Sequence, residues 1–200
     1  MAVDATKMIV PGNGTLFHAP LGTALPTKPL EAFTLTGVPP ADWVNLGHTS
    51  RENTVAFARE GGEATSLGTW LMDSTSTIYS AIAWSLSIPA LQFDEDVLDF
   101  AFNGDFDPAT GGYIVPGQTA AVKTQLFLLM QDGSGSKLGF WIPNSEVTLA
   151  EPPGVNREQY LELPLNASIN GVASDVIPDV DGRAAIMELF KTGLVAPTVP

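Results

Sequence analysis

The stretch "IYSAIAWSLSI", residues 78–88, alternates larger apolar side chains with small ones. Successive side chains of an extended chain point to opposite faces, so the larger residues would share one face. These residues are Ile78, Ile82, Trp84, Leu86 and Ile88, with Ser80 as the interruption. A period of two is typical of a strand with one buried face. The stretch therefore predicts a β-strand, and it favours a fold in which strands dominate.

Strand patterns continue on both sides of this stretch. Downstream, a long strand is predicted over residues 121–131, and the loop "DGSGS" leads to a returning strand over residues 137–142. Shorter strands are predicted at residues 146–149, 160–165 and 168–172. Upstream, residues 53–59 and 64–71 flank Gly61-Gly62, and this pattern predicts a hairpin with a two-residue loop.

Two segments have helical patterns instead. In "QFDEDVLDFAFNG", Asp94 is placed to cap a short helix, because Glu95 and Asp96 would occupy its first turn and apolar residues follow at intervals of four. Residues 183–191 predict a C-terminal helix that ends at Gly193, followed by a loose tail, "APTVP". The predicted class is mainly β: a β-sandwich or barrel with one flanking helix and extended terminal arms.

Composition excludes several classes of protein. The chain has 200 residues, of which 44% are hydrophobic and 16% charged, so a buried core is expected. It has no cysteine, which excludes disulfide scaffolds, thiolate metal sites and a cysteine nucleophile. Its net charge of −13 would repel nucleic acid. We expect neither a signal peptide nor a membrane span, because the start has no basic and apolar leader and no long apolar run is present.

Few residue patterns in the sequence are typical of catalytic or metal-binding sites. The two histidines, His18 and His48, lie in loop-like contexts, and no nucleophile elbow or phosphate-binding loop is present. The segment "DVDGRAAIMEL" matches four positions of a calcium loop, but Ile177 occupies the first ligand position, and Asp181 is better explained as a helix cap. The sequence therefore predicts no catalytic residue, no metal site and no cofactor.

Three segments resemble the major tail protein, or tail tube protein, of long-tailed phages of high-GC Gram-positive bacteria. They are "TLFHAPLGTALP", "DWVNLGHTSRENTVAFAREGGEATSLGTW" and "SIPALQFDEDVLDFAFNG", and the resemblance extends over about residues 9–150. It implies a β-sandwich whose copies form stacked hexameric rings around a channel for double-stranded DNA. It also implies a virion location, assembly in the host cytoplasm, and contacts with a tape measure protein and with tail terminator and tip proteins.

The residue pattern and the resemblance together divide the chain into an N-terminal arm and first loop (residues 1–42), a tail tube core (residues 43–175) and a C-terminal helix and tail (residues 176–200). The proline-rich arm would dock on the next ring or on the adjacent subunit, because prolines reduce the entropy lost on docking. The alternative is that the arm folds back on its own domain. The arm residues expected at that contact are Leu16, Phe17, Pro20, Leu25 and Pro26.

The same resemblance suggests which residues face the channel. In the predicted hairpin Glu60 pairs with Glu63, on a face that is small, polar or acidic and that Glu52 and Thr54 extend. Two glutamates across a ladder repel each other, so a functional reason is expected for them. An acidic channel wall would let DNA pass without binding its phosphates. The alternative is a hairpin that points outward into solvent.

Two other functions compete with this interpretation. One is a non-catalytic carbohydrate- or receptor-binding module, which an exposed tryptophan at a groove would favour. Trp70, Trp84 and Trp141 lie in strand patterns that suit a core, which leaves Trp43 as the free aromatic. The other is a hydrolase that uses the acidic cluster Asp94, Glu95, Asp96 and Asp99, although helix capping accounts for most of these carboxylates.

Overall fold

The computed structural model describes residues 8–118 and 120–194. Within these residues the two helices are α1 (Pro29–Ala32) and α2 (Glu95–Phe102). The strands are β1 (Asn13–Ala19), β2 (Val44–Asn45), β3 (Ala56–Gly61), β4 (Ala64–Thr69), β5 (Met72–Tyr79), β6 (Ile82–Ala90), β7 (Asp105–Asp107), β8 (Gly112–Ile114), β9 (Val122–Gln131), β10 (Lys137–Leu149), β11 (Leu163–Ile169) and β12 (Glu188–Lys191). The predicted mainly β class is confirmed.

The main sheet has the strand order β2-β1-β9-β10-β11-β6-β3, and β12 also pairs with β10. All of these pairings are antiparallel. The register between β9 and β10 shifts between Ile142 and Ser145. Before the shift β10 pairs with β12, and after it β10 pairs with β11. This change of partners within one long strand is consistent with a β-sandwich.

Strand β9 is buried on both faces, as its continuous apolar run suggests. Leu126 and Leu128 contribute to one core cluster, which β6, β10, β11 and α2 also form. Phe127 contributes to a second cluster, where the Phe33 ring stacks on it with centroids 4.2 Å apart. The predicted hairpin from β9 to β10 is confirmed, and Asp132 Oδ1 accepts hydrogen bonds from the backbone of Ser134 and Ser136.

Helix α2 begins and ends as its sequence predicts. The Asp94 side chain accepts a hydrogen bond of 3.1 Å from the Val97 amide. Val97 is the first residue on the buried face of the helix. At the other end Asn103 adopts the left-handed conformation, with φ of 47°. Asp94 therefore has a structural role as the N-cap of α2.

The prediction of an N-terminal docking arm is wrong for its central residues. Strand β1 pairs with β9 along its whole length, and Leu16 and Phe17 are fully buried in their own domain. Both faces of β1 contribute to the core. Because the sequence on either side of β1 is irregular, its pattern did not predict this buried strand. Residues 1–7 of the predicted arm lie outside the described residues.

The predicted C-terminal helix is also wrong. Residues 188–191 form β12, which pairs with the first half of β10. Its pairing satisfies backbone groups of β10 that would otherwise lie at an open edge, and Phe190 packs against the second core cluster. Asp181 lies in a tight turn with φ of 52° and caps no helix. The predicted tail, residues 196–200, lies outside the described residues.

Candidate assembly surfaces

The chain does not reverse at Gly61-Gly62. Strand β3 pairs with β6, which places Glu60 opposite Ala83. Strand β4 pairs with β5, which places Ala64 opposite Tyr79. The two ladders share one register, so the chain continues past the glycines and reverses at Trp70-Leu71 instead. The predicted pair of Glu60 with Glu63 is therefore wrong.

The two glycines explain how the strand continues with a change of direction. Gly61 and Gly62 have φ of 78° and 76°, a region that residues with a side chain rarely adopt. A Cβ atom on Gly61 would also lie 1.9 Å from the Ala81 carbonyl oxygen. The glycines thus kink the strand where it leaves the sheet. We refer to residues 62–81, which include β4 and β5, as the ribbon.

The ribbon projects from the domain, and none of the described residues covers it. Every residue of β4 and β5 is exposed. From Gly62 to Thr69 the ribbon extends about 25 Å, at roughly 3.3 Å per residue. A two-stranded hairpin of this kind is at best marginally stable in water by itself. A hairpin of this length and exposure is suited to packing against another molecule.

The composition of the ribbon supports this conclusion. It contains no Lys, Arg or Pro, the residues that commonly protect exposed strand edges from pairing with other chains. Its only charged residues are Glu63 and Asp73. Its exposed large apolar residues are Leu67, Trp70, Leu71, Met72, Ile78 and Tyr79. Such a surface is suited to contact between proteins.

The structure reverses the predicted roles of two tryptophans. Trp70 stands fully exposed at the tip of the ribbon, although its strand pattern suggested a core position. Trp43 is 4% exposed and packs edge-to-face on Phe33, so it is not the free aromatic. The exposed tryptophan therefore protrudes from the molecule. A carbohydrate-binding module is expected to have its exposed tryptophan at a groove, and Trp70 does not line one.

A second surface, which we term the open face, lies on the sheet side opposite the first core cluster. Cross-strand pairing aligns its residues in rows across β9, β10, β11, β6 and β3. One row contains Lys123, Glu146, Ser168, Ser85 and Ala58, and the next contains Thr148, Asn166, Ser87 and Ala56. Each residue is exposed or half-buried. The face is thus broad, and its side chains are small or polar.

The residues predicted to line the channel are all exposed but do not form one cluster. Glu60 lies at the end of β3, on the same side as Ala56 and Ala58. The Glu63 amide donates a hydrogen bond to Ser80 Oγ at the base of the ribbon. Glu52 and Thr54 precede β3, and the Glu52 carboxylate accepts a hydrogen bond of 3.0 Å from Gln159 Nε2. Only Glu60 of this set belongs to a strand of the open face.

The other predicted arm residues lie at a turn that begins at Pro20 and in the irregular segment after it, and Gln125 holds this turn to the domain. Gln125 Nε2 donates hydrogen bonds of 2.8 Å to the carbonyl oxygens of Pro20 and Thr23. Gln125 Oε1 in turn accepts one of 3.0 Å from Trp141 Nε1. Pro20 is exposed, while Leu25 and Pro26 are half-buried. A contact of these three residues with another subunit stays a prediction.

A groove of about 1210 Å³ lies at the other end of the β3–β6 pair from the ribbon. Thr54 and Val55, which line it, directly precede β3, and the nearby Thr49 bridges to Ala90 at the end of β6. The lining includes Arg51, and none of the lining residues is acidic. Apolar side chains, among them Leu128 and Met130, form another part of its wall. Sequence patterns gave no sign of this groove.

The acidic cluster at α2 is engaged in structural contacts. Asp94 caps the helix, and Asp99 accepts a hydrogen bond from the Tyr113 hydroxyl. Among the described residues no three His, Asp or Glu side chains gather closely enough to hold a metal ion. Over the same ranges, no helix has the length and apolar character required to cross a bilayer.

One buried polar atom lies close to this cluster. His18 of β1 packs edge-to-face on Phe100 of α2, with ring centroids 4.6 Å apart. Its Nε2 atom is buried and has no hydrogen-bond partner among the described residues. Burial lowers the pKa of His18, while the charges of Asp96 and Asp94 act in the opposite direction. The histidine thus belongs to the packing between β1 and α2.

Comparisons with known proteins place the chain among proteins that form phage tails. A family model described as phage tail tube protein matches residues 1–176. The major tail protein Gp23 of Mycobacterium phage D29 is 27% identical over 174 residues, which cover 83% of this chain and 82% of that protein. The major tail protein Gp23 of Mycobacterium phage L5 is 26% identical over 175 residues, with the same coverage.

Proposed function

The chain belongs to the phage tail tube protein family and is a structural subunit of the phage tail tube, and we propose that six copies close into a ring and that the rings stack. The ribbon is the observation that carries this proposal. Its 20 residues, 62–81, are nearly all exposed, and one side of a standard protein interface contains about 20–30 residues. A projecting contact surface of this size is expected in a subunit that assembles with copies of itself.

The open face is the surface we assign to the channel wall. Its side chains are small or polar, so they leave a smooth surface that offers DNA few contacts. Its one cation, Lys123, has a carboxylate of Glu146 3.5 Å from its Nζ atom. With Glu60 nearby and a chain charge of −13, such a wall would repel phosphates rather than bind them. We propose that double-stranded DNA passes along this face without specific binding.

Further partners follow from the position of a tube within a tail. A tape measure protein would occupy the channel before DNA passes, and terminator and tip proteins would bind the two ends of the tube. Assembly would take place in the host cytoplasm, and the product is part of the virion. The subunit would act without a cofactor and without catalysis, since its role is structural.

Electron microscopy of concentrated purified protein tests the ring and its stacking. We expect rings or tubes about 100 Å wide, a rough figure scaled from six domains of this size. Sedimentation velocity should show association that increases with concentration, because a ring with exposed axial faces can continue to stack. A protein that stays monomeric at high concentration in several salts would contradict the proposal.

A charge-reversal pair tests the channel wall. Glu60→Lys would place a cation on the open face, whereas Glu158→Lys makes the same change in the exposed loop before β11. In phage particles that carry each variant, we expect Glu60→Lys to slow DNA release and Glu158→Lys to leave it unchanged. Equal DNA release from both particles would remove the open face from the channel.

A further inference from the structure

The ribbon and the groove lie at opposite ends of the same two strands. The ribbon continues from Gly61 and Ile82, at one end of the β3–β6 ladder. The groove is lined by Thr54 and Val55, which precede β3 at the other end. A second copy placed beyond the ribbon end of the first copy's ladder, with its groove end facing the first copy, would therefore present its groove to the first copy's ribbon. This geometry arises in the fold of a single chain.

The chemistry of the two surfaces is complementary. The tip presents Trp70, Leu71 and Met72, followed by the acidic Asp73. The groove offers apolar side chains and Arg51, and it lacks acidic lining residues. In a chain with 22 acidic and 9 basic residues, a groove of this composition is suited to an acidic and apolar guest.

We propose that the tip of the ribbon, residues 69–73, binds in the groove of a second copy in the adjacent ring, with Asp73 facing Arg51. The inference rests on the proposed stacking of rings and names the surfaces that make the contact. Its central anchor is Trp70, since a tryptophan buries about 150–250 Å² and aromatic side chains dominate the energetics of interfaces.

A contact between two different surfaces also has the correct symmetry. The ribbon leaves the β3–β6 ladder at the end opposite its own groove, so the tip is matched with the groove of another copy. Such a contact is heterologous, meaning that each copy uses one surface to bind and leaves the other open. Heterologous contacts along an axis extend an assembly without closing it, as a tube requires.

Charge exchange tests the contact in the full-length protein. Asp73→Arg and Arg51→Asp should each raise the protein concentration required for tube formation about tenfold, because each change sets like charges against each other. The double variant carrying both changes should return to within about threefold of the original protein. Glu158→Arg is the matched control, because it makes the same change in an exposed loop, and it should have no effect.

Truncation of the anchor gives a second measurement. Trp70→Ala should raise the required concentration at least about tenfold, as expected for the central residue of an interface. Tyr160→Ala, which removes another exposed aromatic, is the control. Circular dichroism should show native folding for both variants, because neither side chain is part of the core.

Cross-linking reports the position of the tip directly. The chain has no cysteine, so Leu71→Cys with Thr54→Cys introduces the only two thiols. Oxidised tubes of this variant should give a ladder of covalent oligomers in denaturing gels, and Leu71→Cys with Val155→Cys should not.

The outcomes separate this inference from the proposed function. If the original protein forms no rings or tubes, the proposed function itself fails, and the inference fails with it. If tubes form but the charge exchange gives no recovery, or the Leu71–Thr54 ladder is absent, the tip binds elsewhere and only the inference is overturned. Recovery together with the ladder supports both.

Discussion

Leu16 of β1 lies directly opposite Leu128 of β9, and both side chains are buried in the first core cluster. Leu16→Ala should therefore lower the free energy of unfolding by about 2–5 kcal/mol, the usual cost of removing a buried leucine side chain. Leu21→Ala, at a position that is 45% exposed, should cost about 0.5 kcal/mol or less. Urea denaturation of the two variants measures both values.

The same pairing predicts the result of a deletion. Removing residues 1–26 deletes β1 and exposes one edge of β9, so we expect the shortened chain to lose its cooperative unfolding transition. A shortened chain that keeps a native circular dichroism spectrum and a sharp transition would show that β1 is dispensable, and the docking-arm interpretation would then regain support.

Gly61→Ala should reduce the amount of tube formed more strongly than Gly135→Ala does, while the melting temperatures of the two variants stay close to each other. The substitution forces a side chain into a left-handed conformation, which costs about 1–2 kcal/mol, and it brings that side chain against the Ala81 carbonyl oxygen. Gly135→Ala is the matched control, because Gly135 has a similar φ of 88° and no atom within 4 Å of its Cβ position. Turbidity and thermal melting compare the variants, and equal assembly by the two would contradict a role for the kink.

Tyr113 and Asp99 provide a test at alkaline pH. The Tyr113 hydroxyl donates a hydrogen bond of 2.5 Å to Asp99 Oδ1 and accepts one from the Gly104 amide. Burial, and then this bond to a carboxylate, raise the pKa of Tyr113 to about 12. The unfolded tyrosine ionises near pH 10, so its contribution to stability is complete below pH 10 and is lost as the pH rises towards 12.

Spectrophotometric titration measures this shift. The difference between the original protein and Tyr113→Phe should show a phenolate transition near pH 12. In Asp99→Asn the transition should move to lower pH, because an amide stabilises the neutral hydroxyl less than a carboxylate does. At neutral pH, Tyr113→Phe should cost about 1 kcal/mol for the lost hydrogen bonds. A transition near pH 10 in the original protein would contradict the assignment.

His18 predicts a loss of stability in acid. Burial lowers the pKa of His18 in the folded protein, so the unfolded chain binds a proton first as the pH falls. The free energy of unfolding should therefore decrease from about pH 7 towards pH 5, and it should decrease less in His18→Phe, which packs a non-titrating ring against Phe100. His48→Phe, at an exposed position, should retain the full decrease. Denaturation curves at both pH values decide between these outcomes.

The elements that sequence patterns predicted correctly depend on local signals. The capping side chain of Asp94 and the turn chemistry of "DGSGS" act within a few residues, so helix α2 and the β9–β10 hairpin were recognisable. The alternation of residues 78–88 marked strand structure, but the structure divides it between β5 and β6, and of the predicted buried face it leaves Ile78 and Ile82 exposed. Family resemblance then identified the protein class, which the comparisons confirm.

The errors arose where distant parts of the chain decide the structure. Phe57 lies opposite Leu86, and burying this pair sets the β3–β6 register, which no local signal at Gly61-Gly62 reveals. Pairing with β10 likewise overrides the helical spacing of residues 183–191. The exposure of Trp70 follows from these long-range pairings, so its strand pattern suggested a core position instead.

The placement of ribbon and groove at opposite ends of β3 and β6 gives any assembly built from that contact a polarity. One end of the tube would present unfilled grooves, and the other would present unbound ribbons with Trp70 in solvent. A protein that starts the tube and a protein that stops it would then face chemically different surfaces, so each could recognise its own end. Growth by addition to one end would differ in rate from growth at the other, as it does in directional filaments.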